Sequence, residues 1–149
     1  MAIMDYATNP KANFDYEILE TIEAGIVLEG FEVKGVKSGR AQIKGTHIKI
    51  MNNEPYLIGA TISPYQPANT PDDYDPQRTR KLLLSKKQIS ALLGTSQAHG
   101  LTLIPLKLYD KKGLVKVLVG IARGKKKYDK RETIKKKDIE RARKRGIEQ

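Results

Sequence analysis

The chain of 149 residues has no cysteine and no tryptophan, two phenylalanines and two histidines. Without thiols there is no disulfide framework, no thiolate metal site and no cysteine nucleophile. His47 and His99 belong to no metal-binding spacing, and solvated surface positions suit both. No serine sits in a G-x-S-x-G turn. Residues 120–125 approach a P-loop, but three residues separate the glycines instead of four, and Lys126 stands where a magnesium-binding hydroxyl belongs. Long apolar runs are missing too. The longest, residues 117–122, falls far short of a membrane span, and residues 1–10 lack the basic and apolar regions of a secretory signal. The expectation is a soluble, cytoplasmic protein that is not an enzyme and carries no metal or cofactor. Asp72, Asp73 and Asp75 leave one enzymatic competitor, a magnesium-dependent nuclease or phosphoryl-transfer enzyme, although solvated acids are their commoner role in a proline-rich loop.

Cations are what the chain has in excess. Lysine and arginine number 28 against 17 acids, a formal charge of +11. Residues 123–149 hold 13 of the cations and 5 of the acids, so a nearly balanced body carries a basic tail. This asymmetry points to a polyanion. The tail has no apolar stripe to bury in lipid, which favours nucleic acid over a membrane.

Periodicity predicts a mainly β body over residues 1–122. Residues 1–8 read as a loose end and residues 16–22 as a strand. Residues 25–37 favour a short helix stopped at Ser38-Gly39, although Gly30 and Gly35 weaken it. Residues 41–51 and 56–62 read as a hairpin around Asn52-Asn53, with a bulge at Gly45. Residues 63–78, with four prolines, cannot be regular structure, and loops of that length are usually functional or mobile. Ser85 and Gln88 form a capping box. The helix that follows buries Ile89, Leu92 and Leu93 and ends at Gly94. Residues 101–109 and 114–122 make a second hairpin. A small OB-like closed antiparallel barrel with two or three short helices accommodates these elements.

Two basic stretches stand out. Arg78, Arg80 and Lys81 precede three leucines, which would fix the cations on the barrel wall for phosphate contacts. Because a leucine triplet cannot point wholly inward, Leu83 is expected to face solvent. Gly124, Lys125, Lys126, Lys127, Tyr128, Asp129, Lys130 and Arg131 set cations around one aromatic, suiting backbone neutralisation and stacking. Beyond them, Glu132/Lys136 and Glu140/Lys144 support a helix, yet Ile134, Ile139 and Ala142 make no continuous stripe. The expectation for residues 123–149 is disorder in the free protein and helix on RNA. By residue patterns alone the chain reads as a single-strand RNA or ribosome-binding OB-fold protein.

Four stretches together carry a closer resemblance. The segment from Asn9 to Tyr16, residues 30–34, residues 78–84 and residues 124–131 resemble the family of SsrA-binding proteins, or small protein B. The resemblance implies a monomeric adaptor that binds the tRNA-like domain of transfer-messenger RNA and delivers it to stalled ribosomes for trans-translation. Its tail would occupy the small-subunit decoding centre and the empty message channel. It assigns Asn9, Lys11, Glu32, Lys34, Arg78, Arg80, Lys81 and Leu83 to RNA binding, and residues 124–131 with Ile139 to the ribosome. Glu32 would accept hydrogen bonds from bases or a 2′-hydroxyl, so Glu32→Ala is expected to weaken RNA binding with the fold intact. Two positions depart from the family. Gly35 stands where serine is usual, and Ile139 replaces an aromatic seen in some relatives.

Overall fold

In the computed structural model, which describes residues 5–64, 68 and 70–124, the longest pairing is a three-strand ribbon. Strand β9 (Leu114–Gly124) turns Val115, Val117, Val119 and Ile121 inward. It pairs antiparallel with β8 (Thr102–Lys111) on one side and β2 (Tyr16–Ile26) on the other. The β8–β9 connection is two residues, Lys112 and Gly113, both at positive φ (52° and 83°). That is the backbone twist short hairpins prefer.

Among the described residues there are nine strands and three helices, and every strand pair is antiparallel. The remaining elements are β1 (Asp5–Thr8), α1 (Ala12–Asp15), α2 (Gly30–Lys37), β3 (Ala41–Gln42), β4 (His47–Met51), β5 (Glu54–Ile58), β6 (Thr61–Ile62), β7 (Arg80–Leu83) and α3 (Lys86–His99). The order β8-β4-β5-β7-β2-β9 returns to β8, closing six strands into a ring, while β3 and β6 pair separately. In the core of the ring Leu57, Leu82, Leu108 and Val117 are almost wholly buried, and Val36 of α2 joins the same cluster. Outside it, Ala12 of α1 packs on Ile104 and Ala122. The expected mainly β, closed architecture with short helices is what the chain adopts.

Several boundaries differ from the sequence reading. Asp5–Thr8 is a strand, because its backbone pairs with β8 while Tyr6 bonds Asp110 and Lys107 pairs with Asp5. The first hairpin crosses between sheets: Gly45 (φ 74°) is a turn that divides β3 from β4, and Gly59 (φ 90°) divides β5 from β6. Helix α3 does begin at the Ser85/Gln88 box, with reciprocal bonds of 2.9 and 3.1 Å. It does not end at Gly94, whose backbone remains helical; the positive φ that follows the helix belongs to Gly100 (62°). His99 is therefore the last residue of α3, while His47 is exposed on β4. Strand β9 extends through Arg123 and Gly124, two residues into the expected tail. Lys125, Lys126, Lys127, Tyr128, Asp129, Lys130, Arg131 and Ile139, with the expected disorder and induced helix, lie outside the described residues.

Candidate nucleic-acid interface

The eight body residues assigned to RNA binding do not form one patch. Asn9 holds its own turn: its Nδ2 donates to the Pro105 carbonyl at 3.0 Å and its backbone N–H to Leu106 at 3.0 Å. Lys11 is exposed at the start of α1, in a cleft shared with Tyr16, Lys44 and His47. Tyr16 pairs with Gly124 across β2 and β9, so this cleft adjoins the point from which the tail departs.

Glu32, Arg78 and Arg80 meet elsewhere, beneath α2. Glu32 and Arg80 are both fully buried, so neither side chain reaches the surface, unlike the exposed contacts expected of them. Arg80 Nη2 and Nε reach Glu32 Oε2 at 2.7 and 3.1 Å, and its remaining donors satisfy the carbonyls of Ala60, Arg78 and Pro76. Arg78 also pairs with Glu32, its side chain about one-third exposed. Oε1 of Glu32 accepts the Glu29 N–H at 2.9 Å, fastening the first turn of α2. Tyr74 of the proline-rich loop closes the cluster. Its hydroxyl lies 2.9 Å from Glu32 Oε2 and 2.7 Å from the Ile62 carbonyl, accepts from Arg80 at 3.0 Å, and its ring meets Phe31 edge-on at 4.7 Å. Burial acts to raise the Glu32 carboxyl and is the largest single influence. The bonds from Arg78, the Glu29 N–H, Arg80 and Tyr74 together outweigh it and hold the group down at about 2. Burial, then Glu32, pushes the Tyr74 hydroxyl up to about 12. Two guanidinium groups and a phenol on one carboxylate satisfy a buried charge. The cluster ties α2 to β7 and to the loop.

Leu83 and Lys34 remain on the surface. Leu82 is 1% exposed and Leu83 54%, as the triplet argument required. Lys34 is exposed on α2. Lys81 keeps part of its surface but is paired with Glu54 at 3.0 Å, a contact weak enough at the surface for a phosphate to displace. Leu83 belongs to a groove that the sequence reading missed, lined by Gly25, Val33, Leu114, Val115 and Lys116 among others. Lys37 bridges it, donating from Nζ to the Gly113 carbonyl at 2.7 Å. The exposed Leu114 beside a Lys-Lys-Gly turn was the available signal. For Tyr74, it was an aromatic set directly among three aspartates and two prolines.

The groove and the tail root lie at opposite ends of the β2–β9 pairing. Gly25 pairs with Lys116 at one end of β2 and β9, and Tyr16 with Gly124 at the other. Nine residues of extended strand separate them by about 30 Å. The acidic competitor gains no support: among the described residues no group of three or more His, Cys, Asp or Glu is placed to hold a metal ion. No helix among them is long and apolar enough to cross a membrane.

Known proteins agree with the motif reading. The family described as SmpB protein matches residues 6–149. The SsrA-binding protein of Enterococcus faecalis is 50% identical over 135 residues, covering 91% of this chain and 87% of its own. That of Bacillus pumilus is 53% identical over 133 residues, covering 89% and 85%. A solved chain from "tmRNA-SmpB: a journey to the center of the bacterial ribosome" is 44% identical, covers 85% of this chain and 92% of its own, and superposes with a TM-score of 0.65. With its motifs, its ring of strands and these relatives in agreement, the chain belongs to the SmpB protein family.

Proposed function

We propose that this protein is an RNA-binding adaptor: its body binds the tRNA-like domain of transfer-messenger RNA, and its basic tail enters the decoding centre and message channel of a stalled cytoplasmic ribosome. The observation that carries the reading is the separation of the two ends of the β2–β9 ribbon. One end bears Leu83 and its groove near Lys34; the other bears Lys11 and the root of the tail. A protein that joins two RNA bodies needs two such ends. Glu32 and Arg80 serve it from beneath, by holding α2 in place. Asn9 does the same for the α1 turn, while Lys34, Arg78, Lys81 and Leu83 face the RNA. Gly124 through Arg131, with Ile139, form the ribosomal segment. The adaptor performs no chemistry, and the proton and metal machinery that a nuclease requires has no part in it.

Truncation after Gly124 tests the division of labour. The shortened chain keeps every described strand and should bind transfer-messenger RNA with unchanged affinity, yet fail to support tagging of stalled peptides. Replacing Asp129, Lys130 and Arg131 by alanine lowers the net charge by only one and should also impair tagging. Normal tagging by the truncated chain would overturn the reading. Equal competition by ordinary tRNA would replace it with general RNA binding.

A further inference from the structure

Residues 70–77 of the proline-rich loop lie over the buried ion cluster. None of them is itself buried, whereas Glu32 and Arg80 beneath them are wholly so. Tyr74 and Pro76 reach down to the body. The Tyr74 hydroxyl stands 2.7 Å from the Ile62 carbonyl and 3.0 Å from Arg80 Nη2. The Pro76 carbonyl accepts from the Ile62 N–H at 3.0 Å and from Arg80 Nη2 at 2.9 Å. The segment is also tied to itself. The Tyr74 N–H donates to the Pro71 carbonyl at 3.1 Å, the Gln77 N–H to Asp75 Oδ1 at 2.9 Å, and the Arg78 N–H to the Asp75 carbonyl at 3.1 Å. Pro71 and Pro76 fix their own φ. Internal bonds and rings thus stiffen the segment between its ends, so it moves as one piece.

The ion cluster does not need this segment for its charge balance. Glu32 Oε2 accepts from Arg78 Nε, Arg80 Nε and Arg80 Nη2, and Oε1 accepts the Glu29 N–H. The phenol carries one proton and faces two acceptors, Glu32 Oε2 and the Ile62 carbonyl. With three guanidinium donors already on Oε2, that proton belongs to Ile62. The segment can therefore leave while Glu32 and Arg80 stay paired, water replacing Tyr74 and Pro76 on Arg80. We propose that residues 70–77 are a strap that opens as a unit while the ring of strands stays closed, with Tyr74 as its clasp. Closed, the strap keeps water from Glu32 and Arg80, whose attraction then acts in a low dielectric. Open, it wets the pair and slackens the hold of Glu32 on the first turn of α2. The strap sets how firmly α2 sits on β7, whatever α2 itself contacts.

Native-state hydrogen exchange on the full chain, followed across low urea concentrations, separates the strap from the ring. The Ile62 amide, bonded to Pro76, reports the strap, and the amides of Val117 and Val119 in β9 report the ring. Opening the strap exposes little surface, so Ile62 exchange should be nearly independent of urea while Val117 and Val119 exchange accelerates steeply. The buried Arg80 Nε–H should share the flat dependence of Ile62, because water reaches it through the open strap. Tyr74→Phe keeps the ring that meets Phe31 and removes only the hydroxyl. It should speed Ile62 exchange by about tenfold and leave its urea dependence flat. An Ile62 or Arg80 Nε–H rate that followed the steep slope of Val117 would mean that the strap opens only with the ring, and would overturn the proposal. An Ile62 rate unchanged in Tyr74→Phe would overturn it equally, by leaving the strap without its clasp.

Discussion

Removing the Glu32 carboxylate leaves Arg80, which is fully buried, facing no counter-charge. Glu32→Ala should therefore cost about 3–5 kcal/mol of stability, read as a fall in melting temperature, with RNA binding lost as α2 loosens. This reverses the order of effects that the sequence suggested, where the residue was a contact and the fold was spared. The same cluster sets a pH response. Glu32 titrates at 4.5 in an ordinary setting and at about 2 here. Its contribution is complete above 4.5 and is lost as the pH falls toward 2, a span of about 3 kcal/mol. Tyr74 acts at the opposite limit: its contribution is complete below 10 and declines as the pH rises toward about 12. Urea midpoints across pH should show both slopes, and Glu32→Gln should flatten the acidic one. At Gly35 a Cβ would lie 2.4 Å from the Ser63 carbonyl oxygen, so even a side chain as small as serine's has no room here. Gly35→Ser should cost about 1–3 kcal/mol by the same measurement. Neither Glu32 nor Gly35 could be read from its neighbours, because their partners lie on the loop and strand that follow far along the chain.

Elements specified by adjacent residues were legible, and those specified by distant ones were not. The start of α3 needs only Ser85 and Gln88, and the second hairpin only two neighbouring apolar runs and a turn; both formed, the hairpin with strands extended to Lys111 and Gly124. The end of α3 was misjudged because glycine lowers helix propensity without forbidding a helix, and at Gly94 the helix continues. Nothing lies within 4 Å of a Cβ placed there. Gly94→Ala should accordingly stabilise the protein by roughly 0.5–1 kcal/mol, detectable as a higher urea midpoint. The residues read as RNA contacts followed the same division. Exposure of Leu83 follows from the triplet itself, whereas burial of Arg80 depends on a glutamate 48 residues earlier. In a basic protein, an arginine used internally has the same sequence signature as one used for phosphate.

For the molecule as a whole, β9 joins the ring on both edges and contributes Val117, Val119 and Ile121 to the core. Its amides should exchange last in native-state hydrogen exchange, through global unfolding, and those of β1 and α1 earlier. A β9 that exchanged with α1 would contradict the central place of this strand. Each of its pairings carries one register shift: on β8 between Pro105 and Lys107, and on β2 between Ile18 and Glu20, where Leu19 is an extra residue opposite β9 and is 49% exposed. Such an insertion increases the local twist. It therefore sets the bearing of the tail root relative to the far end, as an angular offset built into a rigid rod. Deleting Leu19 would restore an unbroken β2–β9 ladder, leave the irregularity on the β8 side as it is, and rotate the point of departure of the tail. The deleted chain should fold and bind RNA but point its tail away from its target, so that tagging fails in a protein whose two binding surfaces are each intact.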